Sequence, residues 1–299
     1  MKRLFYVLPL ALLFALPSCS TSDKTKNNSD KDAIYVSILP QKYLAEQIAG
    51  ETFTIHALLP PGASPAVYEP TPKQLRQLSG AKAYFRIGYI GFELAWMDRI
   101  AATNKDMIIF DQSKNVTLIE TDHQHHHEGE HHHHSHGNVD PHIWMSPSEM
   151  SVQARNIYNS LCHLMPDSTE YYKTNYEELL ALIADTDKKI MNNLNDVKNR
   201  SFMIYHPAMS YFARDYQLKQ ISLEFEGKEP SGKYMASLIE TSKKEGLKTI
   251  FIQKEFPVER AKTLANELNA DVEVIDPLAY NWPENMIRIS KQLQRAMNK

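Results

Sequence analysis

Ten of the thirteen histidines in this 299-residue chain fall in one stretch, DHQHHHEGEHHHHSHGNVDPHIW, residues 122–144. Imidazole beside carboxylate is a donor set for divalent transition metals. Nine of the ten (His123, His125, His126, His127, His131, His132, His133, His134 and His136) are interleaved with Glu128, Gly129 and Glu130. Such a tract binds zinc, copper or nickel weakly and at several points, because much of the imidazole is unprotonated near neutral pH. The tenth, His142, stands apart in DPHIW, just before a helix start. Three further residues occupy comparable places. His206 directly follows SFMIY and precedes Pro207. Asp276 directly follows VEVI and precedes Pro277. Glu69 lies in the loop PPGASPAVYEPTP. A flanking proline restricts the backbone and helps a ligand hold its position. Each residue alone has an ordinary structural reading: a hydrogen-bonded histidine, an aspartate capping a turn, a glutamate bracing YEPTP. Their joint placement points to a metal ion.

The elements that must position them alternate. AIYVSIL, FTIHALL, AKAYFRIG and MIIFD read as strands, with a helix from Pro40 to Gly50, another capped by Thr71 before Pro72, and a third in FELAWMDRIAA. Ser146-Pro147-Ser148-Glu149 has the pattern of a capping box and opens a helix to about Met165. A long amphipathic pattern then runs to about Asn199, too long for an ordinary globular helix and long enough to span two lobes. The alternation restarts with SFMIY, LKQISL, KTIFIQ and VEVI separated by helical segments, and a helix follows Pro283. Alternation of this kind predicts an α/β fold: two lobes with parallel sheets flanked by helices, joined by one long rigid helix. The expected division is an N-terminal lobe over 33–166 carrying the histidine tract at 122–137, a linking helix over 167–199, and a C-terminal lobe over 200–299. Ligands of open parallel sheets bind outside the carboxyl ends of the strands. His142 and Glu69 belong to the first lobe and His206 and Asp276 to the second, so an ion in the cleft would draw donors from both.

The first eighteen residues are read as a signal peptide: a basic start at Lys2 and Arg3, then an apolar run too short to span a bilayer comfortably. It ends in LPSC, which resembles a bacterial lipobox and implies cleavage before Cys19 and lipidation of its thiol. Residues 19–32, polar throughout after the cysteine, read as a disordered tether. Loss of Lys2 and Arg3 takes the formal charge from −3 to −5. A mildly acidic body without a basic patch excludes nucleic acid as a partner. With Cys19 lipidated only Cys162 remains, so no internal disulfide is expected, and its apolar helical setting marks it as a buried small hydrophobe.

ILPQKYLAEQIAG, PPGASP, VYEPTP, DPHIWMSP, HPAMSYFARDYQL, LEFEGKEPS and IDPL, in this order, resemble the zinc/manganese solute-binding proteins of bacterial ABC transporters, over about residues 33–299. The resemblance implies a clam shell of two α/β lobes with a rigid backbone helix. It also implies that His142, His206 and Asp276 are metal ligands, and a histidine at the position of His206 points to zinc where a glutamate would point to manganese. One departure stands out. The first ligand in that family is a histidine just after GASP, and here the position is Ala66. A water, Glu69, or a histidine of the tract could take its place, and a carboxylate there shifts preference toward manganese or iron(II). The implied role is a lipid-anchored monomer facing the periplasm or cell exterior, which captures zinc and hands it to an ABC permease. The histidine tract would capture, sense or pass on the metal. Two other functions fit a metal-bearing two-lobed body: a zinc hydrolase with an open coordination position, or a surface adhesin. Against the hydrolase, the chain has neither a His-Glu-x-x-His helix nor a Gly-x-Ser-x-Gly turn, and no enzymatic role is expected.

Overall fold

The computed structural model of the protein describes residues 32–120, 139–224 and 230–299. Cys19 and the nine tract histidines lie outside the described residues. The N-terminal lobe comprises β1 (Ala33–Val36), α1 (Leu39–Ala49), β2 (Thr54–Ala57), α2 (Pro72–Leu78), β3 (Ala83–Arg86), α3 (Gly91–Thr103), β4 (Ile108–Asp111) and α4 (Pro147–Leu164). After α5 (Thr169–Leu194) come β5 (Ser201–Ile204), α6 (Ser210–Asp215), β6 (Lys219–Ser222), α7 (Gly232–Glu245), β7 (Thr249–Gln253), α8 (Val258–Leu268), β8 (Asp271–Ile275) and α9 (Trp282–Met297).

Each lobe is built on a four-stranded, wholly parallel sheet, in the order β2-β1-β3-β4 in one and β6-β5-β7-β8 in the other. The central strands are apolar on both faces, as a sheet covered by helices on both sides demands. β5 and β7 are buried at every residue, whereas the edge strands β4 and β8 are partly exposed. Every strand of a lobe therefore delivers its carboxyl end to the same edge.

The long helix α5 has 26 residues, about 39 Å at 1.5 Å per residue. It buries a single stripe: Tyr172, Leu179, Ile183, Thr186, Ile190 and Leu194. It packs against α1 and α4 of the first lobe and against α9 of the second. One continuous core results, running from β1 and β3 through α5 to Phe202, Trp282, Ile289 and Leu293. A smaller cluster covers the other face of the second sheet, with Met203, Tyr205, Ile250 and Ile252 against Leu238 of α7 and Ala261 and Ala265 of α8. The period-2 alternation of β5 thus feeds Phe202 and Ile204 to one core and Met203 and Tyr205 to the other.

Helix ends follow local chemistry, with three differences from the sequence expectation. The capping box of α2 is complete: Thr71 Oγ1 accepts from Gln74 N, and Gln74 Oε1 accepts from Thr71 N. That of α4 is one-sided. Ser146 Oγ accepts from Glu149 N at 3.1 Å, but the Glu149 carboxylate turns away to Arg214 Nη2 at 2.8 Å and Thr117 N at 3.1 Å. A buried carboxylate gains more from a guanidinium than from a backbone amide. β1 ends at Val36, because the Ser37 amide donates to Gln41 Oε1 at 2.9 Å and the chain turns into α1. α5 stops at Leu194, five residues short of the expected end, where NDVKN offers side-chain alternatives to the helical ladder. Cys162 on α4 is free and half-buried. Among the described residues no helix is long and apolar enough to cross a membrane.

Candidate metal centre

His142 sits between Pro141 and a short 3-10 turn, Ile143–Met145, that leads into α4. The loop is held from inside by Asp140. Its Oδ1 accepts from the His142 backbone N at 2.9 Å and lies 2.7 Å from His142 Nδ1. Asp140 and His142 are both buried. Burial alone would raise the Asp140 carboxyl, but the His142 imidazole and hydrogen bonds from His142 and Ser210 outweigh it and hold the group below its ordinary value.

His206 follows β5, and Ala208 N returns to its carbonyl at 2.7 Å to close a tight turn. Its Nδ1 lies 3.1 Å from Glu224 Oε2, and Glu224 follows the neighbouring strand β6. The side chain of Gln253, at the end of β7, brackets the peptide: Oε1 accepts from His206 N at 3.3 Å and Nε2 donates to His206 O. The ring of Phe256 lies 5.6 Å from that of His206.

The two imidazoles, from different lobes, face each other edge to face with centroids 5.3 Å apart. A metal bound to two imidazole nitrogens at about 2.0–2.1 Å in tetrahedral geometry sets ring centroids roughly 5 Å apart. A ring that donates from Nδ1 to its carboxylate presents the Nε2 lone pair to a metal. Carboxylate–histidine pairs of this kind fix tautomer and ring orientation at metal sites.

Asp276 lies at the carboxyl end of β8. Its Oδ1 accepts from Leu278 N at 3.1 Å and Oδ2 lies 3.5 Å from Lys254 Nζ. Asn285 Nδ2 donates to its carbonyl at 2.7 Å. It lines a small cavity with Leu39, Leu59, Pro60, Gly62 and Lys254, at the contact of the two lobes. Glu255, in the turn after β7, is a further carboxylate of the edge that already carries Glu224 and Asp276. Burial pushes it up to about 7; its own backbone N–H opposes the rise, the Asp276 carboxylate adds to it, and His206 opposes it.

Ala66 and Glu69 are exposed in the loop before α2. The loop is pinned to the start of α3: Phe92 N donates to Pro65 O at 3.0 Å, and a Cβ on Gly91 would fall 2.2 Å from Ala66 O. Only glycine fits at 91 with the loop so close. The structure thus brings His142 and His206 together, and Asp276 and Glu255 to the edge that carries His206. It does not gather a closed set: among the described residues no three His, Cys, Asp or Glu side chains surround one point closely enough to hold a metal. Asp140, Glu224 and Glu255 were missed in the sequence. Asp140 carried a local signal, two residues before His142. Glu224 and Glu255 carried only their positions just past β6 and β7.

The lobes are fastened beside the histidines. Trp144 Nε1 donates to Pro277 O at 3.0 Å and Trp282 Nε1 to Trp144 O at 2.7 Å. The buried Tyr211 hydroxyl donates to Asp140 O at 2.8 Å and accepts from Ile119 N at 3.1 Å. It therefore grips both chain segments flanking residues 121–138, which also pair with each other through Asp140 N to Ile119 O at 2.9 Å.

Two parallel-sheet lobes joined by one long helix, with inward-facing histidines from each, define the class of two-lobed metal solute-binding proteins. The profile of the family described as zinc-uptake complex component A, periplasmic (ZnuA), matches residues 34–296, and the chain belongs to that family. The high-affinity zinc uptake system protein ZnuA of Bacillus subtilis (strain 168) is 29% identical over 276 residues, covering 89% of this chain and 85% of that protein. The zinc-binding protein AdcA of Streptococcus pyogenes is 30% identical across 83% of this chain, which spans only 50% of AdcA. A crystal structure of ZnuA superposes with a TM-score of 0.82 at 35% identity, over 90% of this chain and 100% of that one. An internal-deletion mutant of ZnuA with zinc bound matches equally well.

Proposed function

We propose that this chain is the capturing receptor of a metal importer: it takes one divalent ion, zinc, between its lobes and delivers it to an ABC permease. His142 and His206 bind through Nε2 and Asp276 through its carboxylate. Glu69, a water or a tract histidine is the candidate for the position that Ala66 leaves without a donor. The single observation that carries this reading is the facing pair of imidazoles, 5.3 Å apart, with each Nδ1 held by its own carboxylate. Two imidazoles favour zinc over manganese or iron(II). The histidine tract gathers metal for the cleft. Cleavage after residue 18 leaves Cys19 as the lipid anchor, with residues 19–32 as tether, so that the monomer works on the periplasmic or outer face of a membrane. The role is binding and delivery, with no chemical step.

Competitive titration of the metal-free protein against a chromophoric zinc chelator, with elemental analysis, tests this. One tight zinc per chain is expected, lost in His142→Ala and in His206→Ala. Tight binding that survives both substitutions would refute the assignment.

A further inference from the structure

We propose that Glu255 is the fourth donor to the metal held by His142, His206 and Asp276, taking the coordination position that Ala66 cannot fill. The inference rests on the receptor reading above and names the residue that completes its site.

The topology sets three of the four donors on adjacent strand ends, although their side chains do not yet surround one point. In the order β6-β5-β7-β8, strand β7 lies between β5 and β8. His206, Glu255 and Asp276 therefore leave three adjacent strand ends. Tyr205 N to Phe251 O at 2.7 Å and Lys254 N to Ile275 O at 2.9 Å hold those ends in register. Phe256 N returns to Gln253 O at 3.0 Å, a tight turn with Glu255 near its apex. The same turn grips His206, through the Gln253 side chain and the Phe256 ring.

The environment of Glu255 calls for a cation. The charged groups that act on it are His206 and Asp276. Among the described residues no lysine or arginine pairs with it, and its neighbour Lys254 is turned to Asp276 instead. A partly buried carboxylate beside another carboxylate is costly until a positive charge lies between them. A dication supplies it. Two neutral imidazoles with Asp276 and Glu255 neutralise a divalent ion and leave no net charge in the cleft. Glu69 has no comparable claim: it is exposed and makes no hydrogen bond or ion pair with a described residue.

The test is zinc competition titration on the full chain, for wild type, Glu255→Gln, Glu255→His, Glu69→Gln and His142→Ala. Glu255→Gln is isosteric and removes a partly buried charge, so the metal-free melting temperature is expected not to fall, and to rise above that of wild type at pH 8. Its zinc affinity is expected to fall at least tenfold, and Glu255→His, which restores a donor, to recover most of it. Affinity of Glu255→Gln within twofold of wild type overturns the proposal, as does a loss in Glu69→Gln with none in Glu255→Gln. Full binding by His142→Ala removes the receptor reading and this proposal with it. Loss in His142→Ala with none in Glu255→Gln leaves that reading standing and removes this proposal alone.

Discussion

The indole of Trp282 donates to the carbonyl of Trp144 at 2.7 Å, while the indole of Trp144 donates to the carbonyl of Pro277 at 3.0 Å. Trp144 stands two residues after His142, and Pro277 directly after Asp276. The segments carrying proposed ligands from opposite lobes are therefore bonded to each other, and both indoles are almost wholly buried. Tyr280 adds a peripheral tie, its hydroxyl donating to Glu46 Oε2 at 2.6 Å. The relative position of the lobes is set beside the site itself, with α5 as the common support behind it. Trp282→Phe keeps most of the ring and leaves the Trp144 carbonyl unpaired. Such a loss costs about 1–3 kcal/mol, and denaturant unfolding of the metal-free protein should show it, together with weaker zinc binding.

In the proposed site Asp140 would act on the metal through His142, whose Nδ1 lies 2.7 Å from its Oδ1. Asp140→Asn keeps an acceptor but removes the charge that orients the imidazole. Loss of such a partner lowers metal affinity by about 10–100-fold. The same chelator competition should show a drop of this order, with His142 still required for the binding that remains.

Tyr211→Phe removes one hydroxyl that serves two backbone groups. Asp140 O loses a partner in a buried place and Ile119 N one in a part-buried place, at a cost of about 1–3 kcal/mol. Hydrogen exchange should speed up at the Ile119 amide, and urea unfolding should shift by that amount. No change in either would show that the clamp at the neck of residues 121–138 is not structural.

In the proposed site Lys254 would compete with the metal for Asp276. The lysine is largely exposed, and the pair is 3.5 Å apart, so the contest is worth at most about 1 kcal/mol in a solvated setting. Lys254→Met should therefore tighten zinc binding by a few-fold, more at low salt than at high.

Glu255 gives the pH dependence its sign. Its folded value of about 7 lies above the ordinary 4.5. Between these limits the folded metal-free chain holds a proton that the unfolded chain has released. Its contribution to stability is thus full below about pH 4.5 and is lost as pH rises through about 7. The full shift corresponds to at most about 3 kcal/mol, less for the part of the group that water reaches. The difference in unfolding free energy between wild type and Glu255→Gln, followed from pH 5 to pH 8, should move against the wild type as pH rises.

Much of this was legible in the sequence because it is local. Strand and helix alternation, Thr71 as a cap, Pro147 in the first turn of α4 and the strand-end positions of His206 and Asp276 all depend on residues a few places apart. Asp140 was legible in principle within DPH, since an aspartate two residues before a histidine can reach both its amide and its ring. The rest depends on which strands become neighbours. Glu224 meets His206 because β6 pairs with β5, Glu255 lies between His206 and Asp276 because β7 separates β5 from β8, and Glu149 leaves its cap for Arg214 because α6 packs against the segment before residue 121. No periodicity or spacing along the chain carries those pairings.

The most direct measurement is a zinc anomalous-scattering map from crystals of the loaded protein. The proposed site requires one strong peak in the cleft, about 2.1 Å from Nε2 of both His142 and His206, with Nδ1 of each still on Asp140 and Glu224. A peak at Nδ1 of either ring, or a fully occupied zinc that touches neither histidine, would contradict it.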